Sequence, residues 1–238
     1  MIDYLNSPVQ WNLFFETVFL LEVEKVKVSS FLPDHIQPFE IRPNICLMGI
    51  GLQKFKPDNL NFPEFDELYW FLNVTPHLKA GAPVPKFASY VGNVASDCND
   101  FLTYANERDK MFIYRSDSIN IAIDAQNYVF SAEDSHGKIL ELHASKEAKQ
   151  KKFYKETLWG QQISAQENNT YFGIWKWEGL LYEFQKSAAV GRLYNHPFFR
   201  GLEVDNIALH CHTQMLTPPV TQDNASLTFY QPTLLKSS

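Results

Sequence analysis

Long tracts of apolar and aromatic residues run through this chain, broken by single glycines and separated by polar or proline-rich loops. Tracts of that kind build strands. Because strands and helices do not alternate regularly along it, the chain is excluded from the doubly wound parallel folds. Residues 11–22 are apolar on both sides of any two-residue alternation and suit a buried strand or a helix. Residues 24–31 read as a short helix stopped by Pro33. Residues 39–55 read as two strand pieces around a Pro43-Asn44 turn, with Gly49 and Gly51 at alternate positions marking a bend or a close approach.

Further along, residues 67–74 form a strand, and a proline-rich loop over 76–85 leads into another at 87–91. Phe101, Tyr104, Ala105 and Arg108 recur at helical spacing within 97–110, with Ser96 or Asp97 as N-cap. Ile119, Ile121 and Ile123 alternate with polar or small residues. Segments 128–132 and 138–144 make a hairpin across Asp134-Ser135-His136-Gly137. The basic run over 146–155 is interleaved with acids and reads as a solvated helix or loop. Strands at 170–184, 207–217 and 225–230 complete the pattern. The expectation is one domain over 1–238, α+β but mainly β, whose long glycine-interrupted strands curl into a closed or nearly closed barrel.

Composition narrows the function. A 45% hydrophobic and 15% aromatic content supplies a sizeable core. The net charge of -6 argues against nucleic acid as a partner, because phosphate neutralisation needs clustered Lys and Arg. Cys46, Cys98 and Cys211 are widely spaced and odd in number, so they form neither a disulfide framework nor a zinc pattern. A reduced, cytoplasmic setting follows as the expectation. No signal-peptide pattern and no apolar run long enough to span a bilayer is visible, so no membrane association is expected. The Gly-x-Ser-x-Gly elbow and the phosphate-binding glycine motifs are missing too.

The order of several elements carries a resemblance. Phe31-Leu32-Pro33-Asp34-His35 ends the first helix, Phe65-Asp66-Glu67-Leu68 opens a strand, and Tyr90-Val91-Gly92-Asn93 feeds a helix towards Lys110. His196-Pro197 and Leu202-Glu203-Val204 then precede the closing strands. This ordered set, spread over about residues 18–230, resembles the acetoacetate decarboxylase-like superfamily, a β-barrel around an apolar cavity.

The resemblance implies a lysine that forms a Schiff base with a β-keto acid, a second lysine beside it, and a supporting glutamate. It also implies an oligomer of unspecified size. Glu67 falls at the glutamate's position, and Lys110 within a residue or two of the reactive lysine's. The family's adjacent lysine pair is absent, and Glu107 and Asp109 flank Lys110 with negative charge instead. The family's substrate-carboxylate arginine near the first helix has no counterpart either. Ordinary acetoacetate decarboxylation is therefore not expected.

The candidate catalytic residues are Glu67, as general acid or base, and Lys110. Tyr69, Tyr90, Tyr104, Arg108 and Trp177 are candidate ligand contacts. The expected partner is a small carbonyl compound with no cofactor and no metal. The expected chemistry is that of a lyase, cyclase or dehydratase; the alternative is a non-catalytic barrel for an apolar ligand or a protein. A third reading places a metal on His210 and His212, which share a strand face, completed by His143 or Glu67.

Overall fold

The computed structural model describes residues 8–57, 60–78, 84–124, 127–144, 153–166, 169–183, 189–204, 212–216, 225–230 and 233–235. The first apolar tract is a 16-residue strand, β1 (Val9–Glu24), whose odd-numbered residues are buried and whose even-numbered residues are mostly partly buried. A tract apolar on both faces is a strand here because both faces are covered. One helical turn, α1 (Lys25–Val28), and a 3-10 turn over Ser29–Phe31 follow as expected. The next strands are β2 (Glu40–Arg42), β3 (Ile45–Pro57), β4 (Phe65–Val74) and β5 (Phe87–Ser96).

Helix α2 (Asn99–Glu107) is shorter than its periodicity suggests, and Cys98 at its N-cap makes no side-chain bond. The two expected caps are used elsewhere. Asp97 Oδ1 accepts the Asp66 N–H at 3.1 Å, and Ser96 Oγ accepts the Cys98 N–H at 3.1 Å. Strands β6 (Asn120–Asp124), β7 (Val129–Asp134), β8 (Gly137–Ala144), β9 (Phe153–Gln166), β10 (Asn169–Glu183) and β11 (Ala189–Leu193) come next. β12 (His212–Leu216), β13 (Ala225–Phe229) and β14 (Thr233–Leu234) complete the described strands.

Strands β1, β3, β4, β5, β9, β10 and β13 pair in that order, and β13 pairs back to β1, so the circuit of hydrogen bonds is closed. Within it β5 and β9 run parallel while the other pairs are antiparallel. A second, antiparallel sheet in the order β11-β8-β7-β6 covers one outer face. Phe130 of β7 stacks on Phe15 at 5.7 Å between centroids and meets Phe19 edge-on at 5.7 Å. Trp70 Nε1 and Asn93 Nδ2 both donate to the Phe198 carbonyl, at 2.9 and 2.8 Å. A buried His196 Nε2–Asp134 Oδ1 contact of 3.0 Å ties the 3-10 turn over Pro197–Phe199 to the β7–β8 hairpin, and the Tyr114 hydroxyl donates to Asp134 at 2.6 Å from the segment after α2.

Two bulges set which side chains face inward. The β1–β3 register shifts between Leu13 and Phe15, so Phe14 is the extra residue; the β4–β5 register shifts between Trp70 and Phe71, so Gly92 is extra. An extra residue inverts the alternation beyond it. Inward positions on β1 change from Trp11 and Leu13 to Glu16, Val18 and Leu20, and those on β5 from Phe87, Ser89 and Val91 to Val94. Among the described residues no helix is long and apolar enough to cross a membrane.

Candidate active site

The closed circuit of strands lines a cavity of about 270 Å³ that is open to one side. Its wall begins as a cross-strand lattice. Glu16, Gln53 and Glu67 are register partners across β1, β3 and β4; the next row is Val18–Gly51–Tyr69, and the next Leu20–Gly49–Phe71. The two inward glycines make the room. A Cβ on Gly51 would lie 2.1 Å from the Tyr69 ring, and one on Gly49 2.0 Å from the Phe71 ring. The rings fold across the strand where side chains are missing, the usual companion of inward glycine in a curved sheet. Across the barrel, Trp175 lies over Gly160 and Phe229 over Gly173 in the same way.

Folding Tyr69 over Gly51 brings its hydroxyl to Glu16, where it donates to Oε1 at 2.8 Å; Gln53 Nε2 donates to the same oxygen. Glu16 is thus an inward carboxylate held by two donors. Burial raises its pKa above the ordinary 4.5, and the two hydrogen bonds oppose that rise. Glu67, 6% exposed, makes no hydrogen bond through its carboxyl among the described residues. Burial, reinforced by the negative charge of Glu16 and Asp109, pushes it up to about 8.

Asp109 arrives from the end of α2. Lys110 adopts a left-handed backbone at φ 56°, and the Met111 N–H returns to the Ala105 carbonyl at 3.1 Å. This turn folds Asp109 inward, where its carboxylate takes a 2.7 Å ion pair from Arg108 with both side chains almost fully buried. Burial outweighs that guanidinium and raises Asp109 to about 7. The rest of the lining is apolar and aromatic, including Trp11, Phe101, Trp175 and Trp177. Trp177 is 2% exposed, and its indole Nε1–H has no hydrogen-bond partner.

Of the residues singled out from sequence, Glu67, Tyr69 and Trp177 line this cavity; Tyr90, Tyr104, Arg108 and Lys110 are not among its lining residues. Tyr90 is buried in the core cluster on the other side of the wall, because its strand parity is opposite to that of Ser89 and Val91. Tyr104 packs edge-on against Trp11 and Phe62, one layer behind the wall. Arg108 is beside it, its guanidinium 5.5 Å from the Tyr104 ring centroid and 5.9 Å from that of Phe229, a lining residue, and it is paired with Asp109. Lys110 is partly exposed, with Nζ 5.8 Å from the Tyr171 ring centroid.

Sequence reasoning missed Glu16 and Asp109. The signal for Glu16 was a lone acid in an apolar tract, which the bulge at Phe14 turns inward; Asp109 had none beyond its neighbour Lys110. His210 and Cys211 lie outside the described residues, as does the side chain of His212, while His143 is exposed. Among the described residues no cluster of three or more His, Cys, Asp or Glu could hold a metal.

No known family model matches the sequence, and no curated protein is similar to it by sequence. Solved structures are. A structure of acetoacetate decarboxylase matches with a TM-score of 0.64 at 10% identity, covering 97% of this chain and 90% of that one. The acetoacetate decarboxylase of Legionella pneumophila matches with a TM-score of 0.62 at 8% identity, over 97% and 88% of the two chains. An enduracididine biosynthesis enzyme, complexed with the condensation product of pyruvate and imidazole 4-carboxaldehyde, matches with a TM-score of 0.54 at 8% identity, over 96% and 89%. The chain has the acetoacetate decarboxylase-like fold, as the order of its elements suggested.

Proposed function

We propose that the cavity binds a small carbonyl compound and promotes its enolisation by carboxyl acid–base chemistry. The observation that carries this reading is Glu67: buried, without a hydrogen bond, and pushed up to about 8, it is a neutral acid at neutral pH on the wall of an aromatic cavity. Two carboxyls whose surroundings treat them differently divide the two roles. The Glu67 carboxyl gives its proton to the carbonyl oxygen. Glu16, which accepts hydrogen bonds from Tyr69 and Gln53, takes the proton from the adjacent carbon. The C–H pair becomes the C=C bond, and the carbonyl π pair becomes the enol O–H.

The unpartnered Trp177 Nε1–H supports the same reading, since it suits a carbonyl oxygen. The structural neighbour holding a condensation product of pyruvate and an aldehyde supports carbonyl chemistry on this fold. The enol formed here is the common starting point for cyclisation, dehydration or condensation. Schiff-base chemistry at Lys110 has less support, because Lys110 does not line the cavity.

The test is exchange of α-hydrogens for deuterium in small ketones, followed by proton NMR. Glu67→Gln is expected to slow exchange about a hundredfold or more, the range of general acid–base catalysis. An unchanged rate overturns the proposal. The aromatic wall also supports a second reading, plain ligand binding. Wild-type protein that binds ketones without exchanging their hydrogens would establish that reading instead.

A further inference from the structure

We infer that the ligand of this cavity carries a cationic nitrogen beside its carbonyl group, and that carboxylate-bearing keto acids are excluded. The inference rests on the enolisation reading for the position of the carbonyl and goes beyond it in naming the ligand's charge.

The titratable groups on the wall are all acids. Glu16, Glu67 and Asp109 all line the cavity, and no Lys, Arg or His does among the described residues. The nearest guanidinium, that of Arg108, is 1% exposed at its side chain and is committed to Asp109 at 2.7 Å. Among the described residues, Glu16 and Glu67 therefore have no basic partner across the cavity. Among the described residues, a substrate carboxylate would meet three acids and no cation, in a space where burial already disfavours negative charge. A protonated amine, amidine or imidazolium meets the opposite: carboxylate oxygens on one wall and the faces of Trp11, Trp175 and Trp177 around it. Carboxylates and aromatic faces are the two groups that bind organic cations out of water.

Acids alone would not define a site. Two buried groups here also lack partners: the Glu67 carboxyl, 6% exposed with no hydrogen bond, and the Trp177 indole N–H, 2% exposed with none. Both belong to residues lining the same space. One set of groups suits a carbonyl oxygen and the other suits a cation. An α-amino ketone satisfies both, because its ammonium sits on the carbon whose proton Glu16 would take.

The experiment uses three probes of nearly one shape: phenacylamine (cation), phenacyl alcohol (neutral) and benzoylformate (anion). Their affinities for the full chain are measured by titration calorimetry, and α-deuterium exchange is followed separately by NMR for phenacylamine and phenacyl alcohol, the two that carry α-hydrogens. The expected result is phenacylamine bound about tenfold or more tighter than phenacyl alcohol, with benzoylformate not bound. Glu16→Gln is expected to abolish the preference for phenacylamine over phenacyl alcohol. Benzoylformate bound as well as phenacylamine, or none of the three bound at millimolar concentration, overturns the inference. Phenacylamine bound without deuterium exchange leaves the cation site standing and removes the enolisation reading. Deuterium exchange of phenacyl alcohol with no binding preference for phenacylamine does the reverse.

Discussion

Replacing Glu67 by Gln gives a sharp and calculable effect on stability. In the folded protein this carboxyl is pushed up to about 8, whereas its ordinary value is 4.5. Between those two pH values the folded state holds a proton that the unfolded state has released. Stability therefore falls as pH rises through the window, with a slope reaching about 1.4 kcal/mol per pH unit. The full cost of ionising Glu67 in place, complete above about pH 8, is about 5 kcal/mol. Gln has nearly the same shape and no charge to bury, so the variant lacks this decline.

Glu16 and Asp109 are raised as well and lower stability over overlapping ranges, but both remain in the variant. The informative quantity is thus the difference between the two proteins. Urea unfolding at steps between about pH 5 and about pH 9 is expected to show near-equal stability at the acid end. The variant should gain steadily to a lead of a few kcal/mol at the alkaline end. Curves that stay parallel across the range would refute the placement of Glu67 as a buried, unpartnered acid.

Four other perturbations test the remaining parts of the argument. Gly51→Ala puts a methyl 2.1 Å from the Tyr69 ring and should cost about 1–3 kcal/mol in thermal unfolding while weakening ligand binding, since the ring that holds Glu16 must move. Arg108→Met should cost about 3–5 kcal/mol by leaving Asp109 buried and uncompensated, and adding Asp109→Asn should recover most of that in a double-mutant cycle. Lys110→Gly should stabilise the protein by about 1 kcal/mol in chemical denaturation, because the native φ of 56° strains any residue with a side chain. Borohydride treatment with small ketones, read by peptide mass mapping, should leave Lys110 unmodified, and an adduct there would restore the Schiff-base reading.

Much of this chain was legible before its coordinates. The Ile119–Ile123 alternation, the hairpin around Asp134-Ser135-His136-Gly137, and the close approaches marked by Gly49 and Gly51 all follow from local rules of period and turn chemistry, and all are present. Trp175 and Trp177 share the cavity face, and Ile174 packs on the opposite side, as alternation requires. Strand β9 was hidden because its sequence, FYKETLWGQQISAQ, offers neither an apolar run nor a steady alternation. Its place is fixed by β5 on one side and β10 on the other, partners far away in the chain.

The site divides in the same manner. Sequence determined that Glu67 and Tyr69 share a face, because that depends only on two-residue spacing along one strand. Only the tertiary structure decided that Glu16 joins them, because a one-residue bulge at Phe14 reverses the parity of everything after it. The same holds for Asp109, buried by a left-handed turn at Lys110, and for the lysine that turn leaves at the surface. Local spacing fixes faces. Bulges and long-range pairings fix which face is the inside, and these arise from contacts between residues that the sequence keeps far apart.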